Sequence, residues 1–121
     1  MAQIGLNHRL SVAKTHQEKT RAVYEGVLKA TVASVSSPIG ALEVFTFANG
    51  SGIGVYYVEP ADALTPDQHM KAVWLEFEVE DERAAAAALE RLGIHPFEYF
   101  DKKHKYFQAP GGQCFRLAKR P

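Results

Sequence analysis

Val73-Trp74-Leu75-Glu76-Phe77-Glu78-Val79-Glu80-Asp81-Glu82-Arg83-Ala84-Ala85-Ala86-Ala87-Ala88-Leu89-Glu90-Arg91-Leu92-Gly93 carries two periods in succession, and their order decides the fold. Over residues 73–79 the alternation puts Leu75, Phe77 and Val79 on one face and Trp74, Glu76 and Glu78 on the other, the pattern of a strand with one buried side. Asp81 and Glu82 then place negative charge at a helix start, Ala85, Ala88, Leu89 and Leu92 form an apolar face at helical spacing, and Gly93 stops the helix. The alanine run 84–88 is a strong helix former.

The same order stands at the beginning of the chain. Ile4, Leu6, His8, Leu10 and Val12 alternate with Gly5, Asn7, Arg9 and Ser11, which predicts a strand. Thr15 followed by Glu18 predicts a capping box, and Ala22, Val23, Val27 and Leu28 predict a helix up to Lys29. Three short strands follow each helix. In the first half they cover residues 31–35, 42–47 and 53–59, parted by turns at 36–40 and 49–52. In the second half they cover 97–100, 104–107 and 113–118, with Ala109-Pro110-Gly111-Gly112 between the last two. Residues 60–70, with two prolines, predict a surface linker. The expectation is one α+β domain, 1–121, made of two βαβββ units (1–60 and 71–121). Four strands between the helices exclude a ferredoxin-like order, which has two.

Composition narrows the function. The 121 residues are 46% hydrophobic, enough for one core. Fourteen Lys plus Arg balance fourteen Asp plus Glu, so no net field draws the chain to nucleic acid or anionic membrane. Lys102, Lys103 and Lys105, and the pair Lys119-Arg120, read as solvated surface. The single Cys114 excludes an intrachain disulfide and a CxxC zinc site, and in a strand pattern it reads as buried packing. Residues 1–10 lack a signal-peptide core and no apolar run reaches membrane-spanning length, so a cytoplasmic location is expected.

Three segments resemble the vicinal oxygen chelate superfamily, which holds glyoxalase I, extradiol dioxygenases, and fosfomycin-resistance and bleomycin-binding proteins. Val23-Tyr24-Glu25-Gly26-Val27-Leu28 is similar to the family's helix end, aromatic-Tyr-x-x-Val-Leu-Gly. Leu75-Glu76-Phe77-Glu78-Val79-Glu80-Asp81 is similar to the strand opening its second half. Phe107-Gln108-Ala109-Pro110-Gly111-Gly112-Gln113 resembles its Phe-x-Asp-Pro-Asp-Gly-Asn turn. The resemblance covers nearly the whole chain. It implies a curved mixed sheet forming a cup, with helices on the outer face, and a divalent metal held by His, Glu or Gln from the first and fourth strands of each unit.

This sequence departs from that ligand set. Aligning Phe77 and Val79 puts Trp74 at the family's histidine position, and aligning Cys114 to Leu117 puts Arg116 at its glutamate position; indole and guanidinium do not ligate metals. In the first unit, Leu6-Asn7-His8 resembles the family's opening and nominates His8, but parity with Leu10 and Val12 turns His8 toward the helix and leaves Asn7 facing the cup. Tyr56 or Gly54 is the fourth-strand candidate. At most one ligand of four survives, so no metal and no cofactor are expected, with His8 the ligand only if that expectation fails. His16, His69, His95 and His104 fit no metal motif and read as solvated, His104 alone having a path to the cup.

The candidate ligand-binding residues are therefore Asn7, Tyr56, Trp74, Glu76 and Arg116. Alternation puts Glu76 and Glu78 on Trp74's face, and strand neighbourship implied by the family puts Arg116 beside Glu76. Two readings stand: an Arg116–Glu76 ion pair filling the cup, or Arg116 receiving an anionic ligand with Trp74 and Tyr56 stacking on it. Phe97, Tyr99, Phe100, Tyr106 and Phe107 wall the second cup or belong to the core. Three functions fit. The first is metal-free binding or sequestration of a small molecule, aromatic or anionic, by a homodimer. The second is catalysis as a lyase, isomerase or dioxygenase, with an atypical metal site or by cofactor-free acid–base chemistry through Glu76, Tyr56 or His104. The third is partner binding, with the cup filled by side chains.

Overall fold

β1 (Asn7–Ala13) opens the first sheet, and the computed structural model describes it with every other residue from Met1 to Pro121. The expected start at Ile4 is too early: the ladder begins at Asn7 because Gly52, the first residue of β4, lies opposite it. A 3-10 turn (Lys14–His16), α1 (Gln17–Arg21) and a π turn (Ala22–Val27) follow without a break. The expected Thr15–Glu18 capping box does not form. Helical winding already begins at Lys14, so Thr15 sits inside the turn and no side chain caps it. The π turn closes with the Leu28 N–H donating to the Val23 carbonyl at 3.0 Å and the Ala30 N–H to that of Tyr24 at 2.9 Å. Between them Lys29 takes φ +62°, a left-handed conformation that costs a residue with a Cβ roughly 1–2 kcal/mol. The family's pattern has glycine there.

β2 (Thr31–Ser37), β3 (Gly40–Thr46) and β4 (Gly52–Val58) complete a sheet of order β1-β4-β3-β2, with β1 parallel to β4 and the other pairs antiparallel.

Residues 60–70 are not a bare linker. They contain a 3-10 turn (Pro60–Asp62) and α2 (Pro66–His69), which carries the true capping box. The Thr65 hydroxyl accepts from the Gln68 N–H at 3.2 Å, and Gln68 Oε1 accepts from the Thr65 N–H at 2.8 Å. Gln108 Nε2 donates to the Pro66 carbonyl at 2.9 Å, and Gln113 Nε2 to that of Val73 at 2.6 Å, which ties the segment to the second unit. Gly112, at φ +113°, permits this closeness, since a Cβ there would lie 2.6 Å from Pro66 Cα. His69, expected in solvent, is 6% exposed, and its Nδ1 has no hydrogen-bond partner. Its packing under the 109–113 turn is a tertiary effect.

The second unit comprises β5 (Leu75–Val79), α3 (Glu82–Arg91), β6 (Lys105–Gln108) and β7 (Cys114–Lys119), in the order β5-β7-β6 with β5 parallel to β7. Asp81 caps α3, its carboxylate accepting from the Ala84 N–H at 3.0 Å. The buried face of α3 is Ala85, Ala86 and Leu89, whereas Leu92, expected in it, is 39% exposed where the chain leaves the helix. The expected strand at 97–100 is reduced to one bridge, Phe97 to Tyr106. Tyr99 and Phe100 instead pack their rings against each other at a tilt of 46°, with centroids 4.6 Å apart.

One core draws on both units, from Val12, Val23, Tyr24, Phe45 and Val55 to Phe77, Leu89, Phe107, Phe115 and Leu117. Phe77 joins them, with ring centroids 5.9 Å from Tyr24, 5.4 Å from Phe47 and 5.3 Å from Phe115. No helix is long and apolar enough to cross a membrane.

Candidate functional site

Each sheet buries one face in this core and leaves the other open, so strand parity assigns every candidate. In the first sheet Leu10, Val12, Ile53, Val55 and Tyr57 point inward, leaving Asn7, Arg9, Gly54 and Tyr56 on the open face. His8 lies on the side of Leu10 and Val12, as parity predicts. The Arg9 guanidinium lies 4.4 Å over the Tyr56 ring, a cation–π contact.

In the second sheet Leu75, Phe77, Val79, Phe115 and Leu117 point inward, while Trp74, Glu76, Glu78, Tyr106 and Arg116 share the open face. Glu76 and Arg116 are direct cross-strand partners. Arg116 Nε donates to Glu76 Oε2 at 2.6 Å, and Nη2 lies 2.6 Å from the same oxygen. Its other arm, Nη1, meets the Tyr106 hydroxyl at 3.3 Å and Asp101 Oδ2 at 3.5 Å. The Arg116–Glu76 ion pair expected from the sequence is present, and it does not by itself exclude the other reading of Arg116. With Tyr106 and Glu76 bonded to it, the guanidinium is held above even its ordinary range.

Asp101 is the hub that the sequence did not disclose. Its Oδ2 also accepts from the Tyr106 hydroxyl at 2.8 Å and contacts His104 Nδ1 at 2.7 Å, while Oδ1 accepts from the Lys103 N–H at 2.9 Å. The His104, Tyr106 and Lys103 bonds hold its carboxyl down to about 2. Only tertiary pairing brings residue 101 under residues 106 and 116; an Asp two residues before a Lys in a charged loop gives no such signal. Burial, with the bond to Asp101, pushes the Tyr106 phenol up against the opposing effect of Arg116.

Beside this network stands an aromatic cluster. Trp74 contacts Phe97, Tyr99 and Tyr106 at centroid distances of 5.6, 4.9 and 5.7 Å, and its indole N–H donates to the Met70 carbonyl at 3.2 Å. Phe100 packs on the outside of the cluster and is 81% exposed. Phe107 belongs to the core, stacked on Phe115. Cys114 is fully buried under Met70, with Sγ 3.5 Å from Sδ, and burial raises its thiol pKa.

The candidates thus fall into two groups on two sheets, Asn7 and Tyr56 on one and Trp74, Glu76 and Arg116 on the other, with no hydrogen bond or ring contact between the groups. Glu76 and Glu78 also line a cleft of about 450 Å³ at the seam of the units, with Phe47, Lys29 and Arg120. The donor set does not fit a divalent metal. Of the four positions that the resemblance gives for ligands, Trp74 and Arg116 stand at two, and Asn7 and either Tyr56 or Gly54 at the others, and nowhere do three His, Cys, Asp or Glu side chains converge.

No family model matches the chain, and no curated protein matches it. Solved structures do. The fosfomycin resistance protein FosX from Listeria monocytogenes is 16% identical, over 100% of this chain and 94% of that one, with a TM-score of 0.75. Glyoxalase I of Leishmania major is 16% identical, over 98% and 87%, at 0.74. TnmS3, an antibiotic binding protein from Streptomyces sp. CB03234, is 17% identical, over 100% of both chains, at 0.63. The chain has the vicinal oxygen chelate fold. At these identities the likeness carries the fold, and function rests on the site.

Proposed function

We propose that this protein binds a flat aromatic small molecule on the open face of its second sheet, without a metal, in a cleft that a second copy of the chain completes. The observation that carries this reading is the cluster of Trp74, Phe97, Tyr99 and Tyr106, braced by the indole bond to Met70 and presented on a sheet face rather than in the core. Rigid aromatic side chains give contact area at small entropic cost. That TnmS3 is an antibiotic binding protein agrees with it. Arg116 already holds Glu76 and Asp101, so the anionic ligand weighed from the sequence is disfavoured and the aromatic one retained.

Charge supports the dimer. The open face of the first sheet carries Arg9, and that of the second carries Glu78, both exposed and outside any ion pair of the chain. Two copies set face to face would oppose these charges twice. Light scattering at micromolar concentration reads the dimer, and quenching of Trp74 fluorescence by flat aromatic compounds reads the site. The expected result is a dimer whose emission is quenched saturably, with Trp74→Phe abolishing the signal and Tyr99→Ala weakening binding about tenfold, the loss of one ring contact of about 1.4 kcal/mol. A monomer that no aromatic compound quenches would overturn the proposal.

A second reading, docking of a macromolecular partner on the same face, is favoured by the Arg116–Glu76 pair, which fills the place a ligand anion would take. Saturation by small aromatics at a stoichiometry of one per chain decides against it.

A further inference from the structure

His104 has one nitrogen committed and one free. The Asp101 carboxylate is ionised at neutral pH and can only accept hydrogen bonds, so the contact at 2.7 Å requires the ring proton to be on Nδ1. In the neutral ring Nε2 is then a lone pair, and it makes no hydrogen bond within the chain. The orientation is well enforced. Asp101 is fixed by the Lys103 N–H on one oxygen and by the Tyr106 hydroxyl and Arg116 Nη1 on the other, and the His104 and Asp101 side chains are 27% and 19% exposed. Tyr106 links the pair to the aromatic cluster, since its ring packs on Trp74 and Tyr99 while its hydroxyl bonds Asp101.

We infer that His104 Nε2 is the hydrogen-bond acceptor for the hydroxyl of a phenolic or enolic ligand lying on the Trp74 cluster. The inference rests on the small-molecule reading above and names the ligand's polar group. A neutral imidazole acceptor rewards an O–H and gives nothing to an ether. A carboxylate ligand would meet that lone pair together with Asp101 and Glu76, whose charges one Arg116 shares, so the site rejects anions of the same shape.

The test uses three probes of one shape, 2-naphthol, 2-methoxynaphthalene and 2-naphthoate, read by quenching of Trp74, the only tryptophan. At a pH high enough for the imidazole to be neutral, the full chain should bind naphthol about tenfold more tightly than the ether, and naphthoate more weakly than either. Asp101→Asn is the diagnostic variant. Its carboxamide can donate to Nδ1 and move the ring proton to Nε2, so the preference for naphthol over the ether should collapse to near parity while naphthoate gains. His104→Leu, checked for folding by circular dichroism, should lose the preference and keep binding of the ether. Equal binding of naphthol and ether by the unaltered protein would overturn the inference while leaving the aromatic site standing. Retention of the preference in both variants would also overturn it. Failure of all three probes to quench would overturn the binding reading itself, and the inference with it.

Discussion

The two units share a strand plan and place their charges on opposite sides of it. In the first, Arg21, Glu43 and Tyr57 form a network between helix and sheet. Glu43, 2% exposed, accepts from Arg21 Nε at 2.6 Å and from the Tyr57 hydroxyl at 2.7 Å. Burial pushes this carboxyl up, but the bonds from Arg21 and Tyr57 outweigh it and hold it below its usual range. In the second unit the helix side is apolar, with Ala85, Ala86 and Leu89 packed in the shared core, and the network of Glu76, Arg116, Asp101, Tyr106 and His104 lies on the open face. A polar network inside a unit serves its packing. One displayed on the face can meet a ligand, and this difference is what supports the proposed site in the second unit.

The largest expected effect tests what the units have in common. Phe77→Ala removes the ring that touches both halves and should cost about 3–5 kcal/mol, read as one cooperative urea transition moved to lower midpoint. Two separate transitions would show that the units fold independently.

Next comes one substitution made in both units. Tyr57→Phe deprives the buried Glu43 of a donor and should cost about 2 kcal/mol. Tyr106→Phe deprives the more accessible Asp101 of one donor among several and should shift the urea midpoint clearly less. Equal shifts would erase the contrast between a packing network and a displayed one.

A smaller gain is expected from Lys29→Gly. Relief of the left-handed strain, offset by the greater freedom of glycine in the unfolded chain, should raise stability by about 0.5–1 kcal/mol in chemical denaturation.

The least effect on stability is that of pH through Asp101. Its folded pKa, about 2, lies below the ordinary 3.8, so its stabilising contribution is complete above the higher value and fades as pH falls through the lower one. Carbon-13 titration of the folded protein should find this carboxyl still ionised at pH 3. Asp101→Asn should flatten the acid limb of the stability profile slightly, where Glu43→Gln flattens it more.

Much of the fold was legible because it rests on period. The alternation of Leu75, Phe77 and Val79 and of Leu10 and Val12 required a buried face whatever lay beneath, and the same parity placed Asn7, Trp74 and Glu76 on the open faces, whereas the place of Arg116 beside Glu76 came from the resemblance. The failures were at signals that depend on context. Thr15-x-x-Glu18 and Thr65-x-x-Gln68 have the same local chemistry, yet only the second caps a helix, since the first lies where winding has already begun. Residues 97–100 have strand composition, but beyond the Phe97–Tyr106 bridge they form no third ladder, and the rings of Phe97 and Tyr99 pack on Trp74 instead.

By itself, then, the sequence determined two strand–helix–strand units and their buried faces, because side-chain period is a local property. Tertiary structure alone decided that Arg116 holds Glu76, that Asp101 gathers His104, Tyr106 and Arg116, and that His69 is buried beneath the 109–113 turn. Those pairings join residues distant in the chain or turned toward each other by a loop, and their strength depends on distances of a few ångströms that no spacing in the sequence encodes.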